Sequence, residues 1–124
     1  MLKNILLVAL GGGLGSALRY VIQEALHQNI KGFSPYGTFL VNMIGCLLIG
    51  LFLGWLEQEK YLSESSNLLL IGGFCGGFTT FSTFAMQAQG LLSEKPLQAL
   101  IYLSASVVFG ILLAYAGLKL STKL

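Results

Sequence analysis

The residues best suited to chemistry in this 124-residue sequence lie in one segment, from Gly72 to Phe84. Four glycines within six residues are followed there by three threonines and a serine within the next seven. Glycine and β-branched threonine both weaken a helix, and backbone carbonyls released from a helix can bind a small hard cation. The segment therefore predicts an interrupted helix with free carbonyl groups. An intact, glycine-rich helix that packs closely against a neighbour is the alternative.

Other reactive side chains are too few and too far apart for catalysis or for a metal cluster. His27 is the only histidine, Cys46 and Cys75 are the only cysteines, and the sequence contains no aspartate. A nucleophile needs a nearby base with an orienting partner, and a zinc site needs several neighbouring ligands. The run Gly11–Gly15 matches no nucleotide-binding pattern. We therefore expect neither enzymatic activity nor a nucleic-acid partner.

The composition indicates a lipid bilayer as the surroundings of this chain. Hydrophobic residues make up 55% of it and charged residues only 10%, against about 25% charged in an ordinary soluble domain. Charge-free stretches of 25, 29 and 23 residues separate Lys31 from Glu57, Glu64 from Glu94, and Lys95 from Lys119. Each stretch is long enough to cross the hydrocarbon core as a helix. A soluble enzyme is therefore excluded.

A fourth apolar segment begins at Asn4 and continues past Arg19, whose long side chain can reach the lipid headgroups. The sequence thus predicts an all-α integral membrane protein with four transmembrane helices and a Gly/Thr break in the third. The predicted spans are about 4–26, 37–56, 67–92 and 97–118 of a single domain, in a multi-pass protein of the inner or plasma membrane.

The positive charges give almost no preference for one orientation in the membrane. With four spans, four lysines lie on the side of the termini and three cations on the other side: Lys3, Lys60, Lys119 and Lys123 against Arg19, Lys31 and Lys95. A bias in Lys and Arg normally fixes orientation, so this chain is predicted to insert both ways. Two opposed copies could pair about an axis in the membrane plane. A single topology set by the one-charge difference, or by Lys3 alone, is the alternative.

Three motifs in this order resemble the signatures of the Fluc/CrcB fluoride channels: Gly12–Tyr20, Gly37–Gly45 and Gly76–Phe84. The spacing of these motifs and the four-span length match as well, so the resemblance covers the whole chain. It implies an antiparallel, dual-topology homodimer with two fluoride pathways and a central, structural sodium ion, which exports fluoride passively and protects the cell from fluoride toxicity.

The resemblance also implies roles for individual residues. The carbonyl groups of Gly76 and Thr79 match those that hold the sodium ion. The fluoride pathway is implied at Asn42, Phe81, Phe84, Tyr102 and Ser106, with Ser82 and Thr83 as further hydroxyl donors. Arg19 matches an arginine near the aqueous entrance, or vestibule, and Thr38 and Gln87 are further vestibule candidates.

These residue types suit a small, strongly hydrated anion. A selective pore must replace the water around fluoride with donors and must avoid a fixed charge that would trap the ion. Asn42 offers two N–H donors, and the positive edges of the Phe81 and Phe84 rings can face an anion. Each residue also has a structural alternative: an interhelical hydrogen bond for Asn42, packing for the phenylalanines, and anchoring at the headgroups for Arg19.

Two other kinds of membrane protein compete with this interpretation. A small, dual-topology, proton-coupled multidrug antiporter would need an acidic residue inside the bilayer, whereas the five glutamates lie at span ends or in connections. A membrane-assembly protein without transport activity would use the Thr-Phe run for packing alone.

Overall fold

The computed structural model describes residues 1–29, 35–58 and 64–123, and within these ranges it contains helices and no β-strand. The first, second and last segments are the single helices α1 (Leu2–Asn29), α2 (Tyr36–Gln58) and α6 (Pro96–Lys123). The third segment consists of α3 (Glu64–Asn67), a π-helix (Leu68–Cys75), α4 (Gly76–Phe78) and α5 (Phe81–Glu94).

The four segments are each long and apolar enough to cross a membrane, at Leu2–His27, Tyr36–Gln58, Glu64–Glu94 and Pro96–Lys123. The predicted all-α architecture with four spans is therefore confirmed. Large apolar side chains such as Ile5, Leu6, Val107 and Ile111 are more than half exposed on the outer surface of the helices, where lipid would cover them. Two of the seven cations in the charge count, Lys31 and Lys60, lie outside the described residues.

Glycines allow the helices to touch through their backbones. A Cβ atom at Gly15 would lie 2.8 Å from the Phe78 nitrogen, and one at Gly11 would lie 2.8 Å from the Phe74 nitrogen. α1 therefore packs directly on the π-helix and α4. On the other side of the molecule, α2 packs on α6 in the same way, since a Cβ at Gly50 would lie 2.8 Å from the Leu118 nitrogen.

Only Lys95 separates α5 from α6, and the two helices share a small apolar cluster. Pro96 begins α6, where its missing N–H is not needed. The cluster comprises Phe84, Ala88, Leu91, Ala99 and Tyr102. Because Phe84 and Tyr102 belong to it, this packing fixes two of the residues that sequence analysis assigned to the fluoride pathway.

Candidate functional site

The third segment is interrupted by two extended residues, Thr79 and Thr80, which we call the interruption. Thr79 has φ −84° and ψ 157°, and Thr80 has φ −145° and ψ 120°. The four glycines before it stay helical, within the π-helix and α4. Backbone packing against α1 holds the glycine run in place, so the chain leaves the helix at the β-branched pair that follows.

Asn42 of α2 is bonded to the backbone of the interruption at both ends of its amide group. Its Nδ2 donates to the Thr80 carbonyl oxygen at 3.1 Å, and its Oδ1 accepts from the Thr80 N–H at 2.8 Å. An extended residue leaves its N–H and carbonyl groups without helical partners. Burying such a group without a hydrogen bond costs free energy. Asn42 therefore stabilises the interruption, and this pair of bonds leaves the second N–H of its amide unused.

The Thr80 side chain caps α5. Its Oγ1 accepts from the Thr83 N–H at 3.3 Å, and the two threonine hydroxyls are 3.2 Å apart. A threonine at this position satisfies one of the N–H groups that a helix start leaves unpaired. α5 can therefore begin directly at Phe81.

The end of α4 presents carbonyl groups that have lost their usual helical donors. Two side chains of α1 replace the missing donor at the Gly77 carbonyl oxygen, which accepts from Ser16 Oγ at 3.3 Å and from Arg19 Nε at 3.1 Å. Thr79 instead sends its own N–H and hydroxyl back to the Cys75 carbonyl oxygen, at 3.0 and 2.8 Å.

Three other carbonyl groups at this place lack such compensation. Within the described ranges, no group donates a hydrogen bond to the carbonyl oxygens of Gly76, Phe78 or Thr79. Two of these belong to the residues that the sequence resemblance assigns to a sodium ion. Uncompensated carbonyl oxygens are the donor type that such an ion binds, so the backbone here fits the group.

A larger pocket of about 390 Å³ lies between α2, the interruption and α6. Its side chains are mostly apolar. The assigned residues that line it are Asn42, Gly76, Thr79, Phe81, Phe84 and Ser106. The Ser106 hydroxyl is buried and has no hydrogen-bond partner among the described residues. It is therefore free to donate a hydrogen bond to an ion or molecule bound in the pocket.

The phenylalanines of the larger pocket differ in exposure. Phe84 is 9% exposed, and its ring centroid lies 5.1 Å from that of Tyr102 and 5.8 Å from that of Phe81. Phe81 is 80% exposed. One ring is thus fixed by packing, while the other stands at the open side of the pocket in a single copy of the chain.

A smaller pocket of about 290 Å³ is bounded by α1, α2 and α5 and has more polar walls. It is lined by Tyr20, Gln23, Glu24, His27, Gly37, Thr38, Thr83 and Gln87. Gln23 donates to the Thr38 hydroxyl at 3.1 Å. The Tyr102 hydroxyl donates to the Gln87 amide oxygen at 3.2 Å, which leaves the amide nitrogen of Gln87 as a donor.

The two pockets meet where Thr80 of the interruption contacts Thr83 of α5. Thr80 lines the larger pocket and Thr83 the smaller one, and their hydroxyl groups are 3.2 Å apart. The structure thus brings together most of the residues that sequence analysis singled out. Ser82 is exposed and Arg19 is half-buried; neither lines either pocket.

Sequence analysis did not identify Ser16, Gln23 or Thr80 as site residues. Ser16 is adjacent to Gly15 and three residues before Arg19, so Ser16 and Arg19 share one face of α1. That both lie near the glycines through which α1 contacts its neighbour was a signal in the sequence that could have identified them as donors to the neighbouring helix. Thr80 lies inside the motif that carried the resemblance. Among the residues that the structure describes, no three His, Cys, Asp or Glu side chains are grouped to hold a metal ion.

A family model described as CrcB-like protein, Camphor Resistance (CrcB), matches residues 6–118. The chain belongs to the CrcB family. Relatives in this family include a protein of Flavobacterium psychrophilum that is 44% identical over 124 residues, covering 99% of this chain and all of the relative. A protein of Oceanobacillus iheyensis is 43% identical over 97% of this chain and 92% of its own length. A protein of Chloroflexus aurantiacus is 43% identical over 96% of this chain and 95% of its own.

All three CrcB relatives carry the name "Fluoride-specific ion channel FluC". The resemblance found in the three sequence motifs is therefore confirmed at the level of the CrcB family. With its four apolar helices, this CrcB chain is a multi-pass membrane protein.

Proposed function

We propose that this chain forms a fluoride-selective channel that exports fluoride passively across the cell membrane. The main support for this proposal is that relatives aligned over nearly the whole chain, at 43–44% identity, are named "Fluoride-specific ion channel FluC". The larger pocket supports it, because the buried Ser106 hydroxyl, which has no partner among the described residues, suits an anion that has shed water.

The fluoride route would run through the larger pocket. There the Ser106 hydroxyl and the second N–H of Asn42 are donors, and the Phe81 and Phe84 rings offer positive edges. Because none of the described residues that line this pocket is charged, an ion could be dehydrated without being trapped. Thr83, which lines the smaller pocket, and the Tyr102 hydroxyl, which donates to Gln87 there, would continue the route beyond the larger pocket, and Ser82, which lines neither pocket, would contribute its hydroxyl from the exposed start of α5.

The smaller pocket is the proposed vestibule. Thr38 and Gln87 line it, and Gln87 offers an N–H donor at the place where Thr83 meets the interruption. Arg19 lies outside the wall of this pocket, and its positive charge would raise the concentration of anions in the vestibule.

The active unit is proposed to be an antiparallel, dual-topology homodimer. In a single copy the interruption lies at an open pocket, with Gly76 exposed and Phe81 80% exposed. Irregular backbone at membrane depth is tolerated only where protein covers it or water fills a cavity beside it. A second copy in the opposite orientation would supply that cover, and the nearly balanced cations of the sequence favour such insertion.

A structural sodium ion is proposed at the axis of this dimer. The carbonyl oxygens of Gly76 and Thr79 would hold it, and both lack hydrogen-bond donors within the described ranges. When bound, the ion would supply a central positive charge near the anion pathway.

The multidrug antiporter lacks support. It would need an acidic group inside the bilayer. The four described glutamates lie near helix ends, and only Glu24 lines either pocket, at the rim formed by the last turns of α1. Nor do the names of the relatives describe an enzyme.

Ion efflux from proteoliposomes tests the proposed activity. Vesicles that contain the purified chain should release fluoride rapidly and chloride hardly at all. Drug-dependent proton flux without fluoride release would contradict the channel. A sodium gradient should not drive fluoride movement if the ion is structural.

Cysteine accessibility tests the proposed arrangement. Single cysteines placed at either terminus should react with an impermeant reagent from both sides of the membrane. Labelling from one side only would contradict the antiparallel dimer, whatever the efflux experiment gives.

A further inference from the structure

Two side chains of α1 meet at one carbonyl group beside the interruption. Ser16 Oγ donates to the Gly77 carbonyl oxygen at 3.3 Å, and Arg19 Nε donates to the same oxygen at 3.1 Å. In an uninterrupted helix this oxygen would accept from the N–H four residues later, at Phe81. Since the extended threonines remove that donor, α1 replaces it twice.

The helix contact beside this carbonyl leaves little freedom for movement. A Cβ at Gly77 would lie 2.9 Å from Gly12 Cα, and a Cβ at Gly15 would lie 2.8 Å from the Phe78 nitrogen. The backbones of α1 and α4 therefore touch beside the Gly77 carbonyl, at Gly77 and at Phe78. The bonded carbonyl is fixed both by its partners and by the surrounding main chain.

The position of Gly77 makes this fixation relevant to ion binding. It directly follows Gly76 and precedes Thr79 by two residues, and the carbonyl oxygens of both accept no hydrogen bond within the described ranges. The Gly76 and Gly77 peptide groups are joined at the Gly77 Cα atom, so only the two dihedral angles there separate their directions. Holding the Gly77 carbonyl and the Gly77 backbone thus restricts the direction of the Gly76 carbonyl, one of the two proposed sodium ligands, whereas the Thr79 carbonyl shares its peptide group with the Thr80 N–H that Asn42 holds.

We infer that Ser16 and Arg19 are positioning residues for the cation site, acting through the Gly77 carbonyl. This inference rests on the sodium site of the proposed function and assigns Arg19 a role beyond its charge. Arg19 is not part of the wall of the smaller pocket. A cation also suits this place because the C-terminal end of a helix is electronegative.

The test measures sodium binding through thermal stability of the purified full-length chain in detergent. The unfolding temperature is recorded at rising sodium chloride concentrations, with N-methylglucamine chloride keeping the ionic strength constant. An ion that binds only the folded state stabilises it by RT ln(1 + [Na⁺]/Kd). Fitting the unfolding temperatures to this relation gives the sodium Kd without any flux measurement.

Three variants separate positioning from charge. Ser16→Ala removes one donor and no charge, Arg19→Lys keeps the charge but not the planar Nε donor, and Arg19→Gln removes the charge. We expect the sodium Kd to rise by up to about tenfold in Ser16→Ala and Arg19→Lys, the factor that the loss of one full hydrogen bond would give. If Arg19 acted only by repelling sodium, Arg19→Lys would match the wild type and Arg19→Gln would bind sodium more tightly.

Gln23→Ala is the matched control. It removes a hydrogen bond from the next turn of α1 to Thr38, away from Gly77, and should leave the sodium dependence within about twofold of the wild type. An equal rise in Gln23→Ala, or no rise in Ser16→Ala and Arg19→Lys, would overturn the inference. A wild type without sodium dependence would also overturn it, while fluoride efflux from the same preparation shows separately whether the channel function stands.

Discussion

Replacement of Asn42 by alanine tests the tie between α2 and the interruption. The substitution removes the bonds at 3.1 and 2.8 Å to the Thr80 carbonyl and N–H groups. Each backbone group left without a partner in a buried place costs about 1–3 kcal/mol. Because Thr80 is only half-buried, the two losses together destabilise the interruption by about 2 kcal/mol, the low end of this range, relative to a helix that satisfies both groups internally.

The expected result of Asn42→Ala is a loss of fluoride transport with a lower unfolding temperature. A destabilisation of about 2 kcal/mol corresponds to a factor of about 30 in the ratio of the interrupted to the uninterrupted conformation. Fluoride efflux from proteoliposomes, followed with a fluoride electrode, should therefore fall by up to about 30-fold. Size-exclusion chromatography should still show the dimer, because Asn42 bonds within its own chain.

Gln58→Ala is a matched control for this experiment. Gln58 also belongs to α2 and donates its side-chain amide to a backbone carbonyl, that of Thr122 in α6. This bond is exposed and lies at the far end of both helices, so its loss should change neither efflux nor stability appreciably. Wild-type efflux in Asn42→Ala would refute the reasoning. A large loss of efflux at unchanged unfolding temperature would show that Asn42 acts as a donor to the ion and not as a support.

Four further substitutions, one of them a control, test transport and packing. Phe81→Ile should abolish most fluoride efflux at an unchanged unfolding temperature and with the dimer intact, because an 80% exposed ring adds little to the packing of one copy; wild-type efflux would reject its role. Ser106→Ala should slow efflux without loss of stability in thermal unfolding, because it removes a buried hydroxyl that has no partner among the described residues. Gly45→Ala should destabilise the fold by about 1–3 kcal/mol, because its Cβ would overlap the Thr79 side chain. Gly13→Ala, where the added methyl meets open space, should unfold at the wild-type temperature, and equal unfolding temperatures in both glycine variants would count against the packing argument.

Sequence alone predicted the four helices because the thickness of a bilayer sets a length that charge-free segments must meet. Small residues four apart, as at Gly11 and Gly15, are typical of backbone contact, and the structure places both glycines against the backbone of the third segment. The details of the third segment were harder to predict. Glycines are weak helix formers in isolation, but here they remain helical, because α1 packs against them.

Pairings between distant residues could not be predicted. Asn42 and Thr80 are 38 residues apart, and Arg19 and Gly77 are 58 apart. Composition and motifs identify such side chains as donors, but the acceptor depends on how the helices dock. For this reason Asn42 and Arg19 were assigned to the ion and to the entrance, and their bonds to the backbone of the third segment became visible only in the structure.

The backbone contact between α1 and the third segment limits how this chain can evolve. Where a glycine faces a side chain, as Gly45 faces Thr79, a larger residue on one helix can be accommodated by a smaller one on the other. Gly15 faces the main chain at Phe78, which no substitution can shorten. A larger residue at Gly15 therefore cannot be accommodated by a second substitution on the facing helix. On this face of α1, sequence variation is confined to the residues beside the glycines.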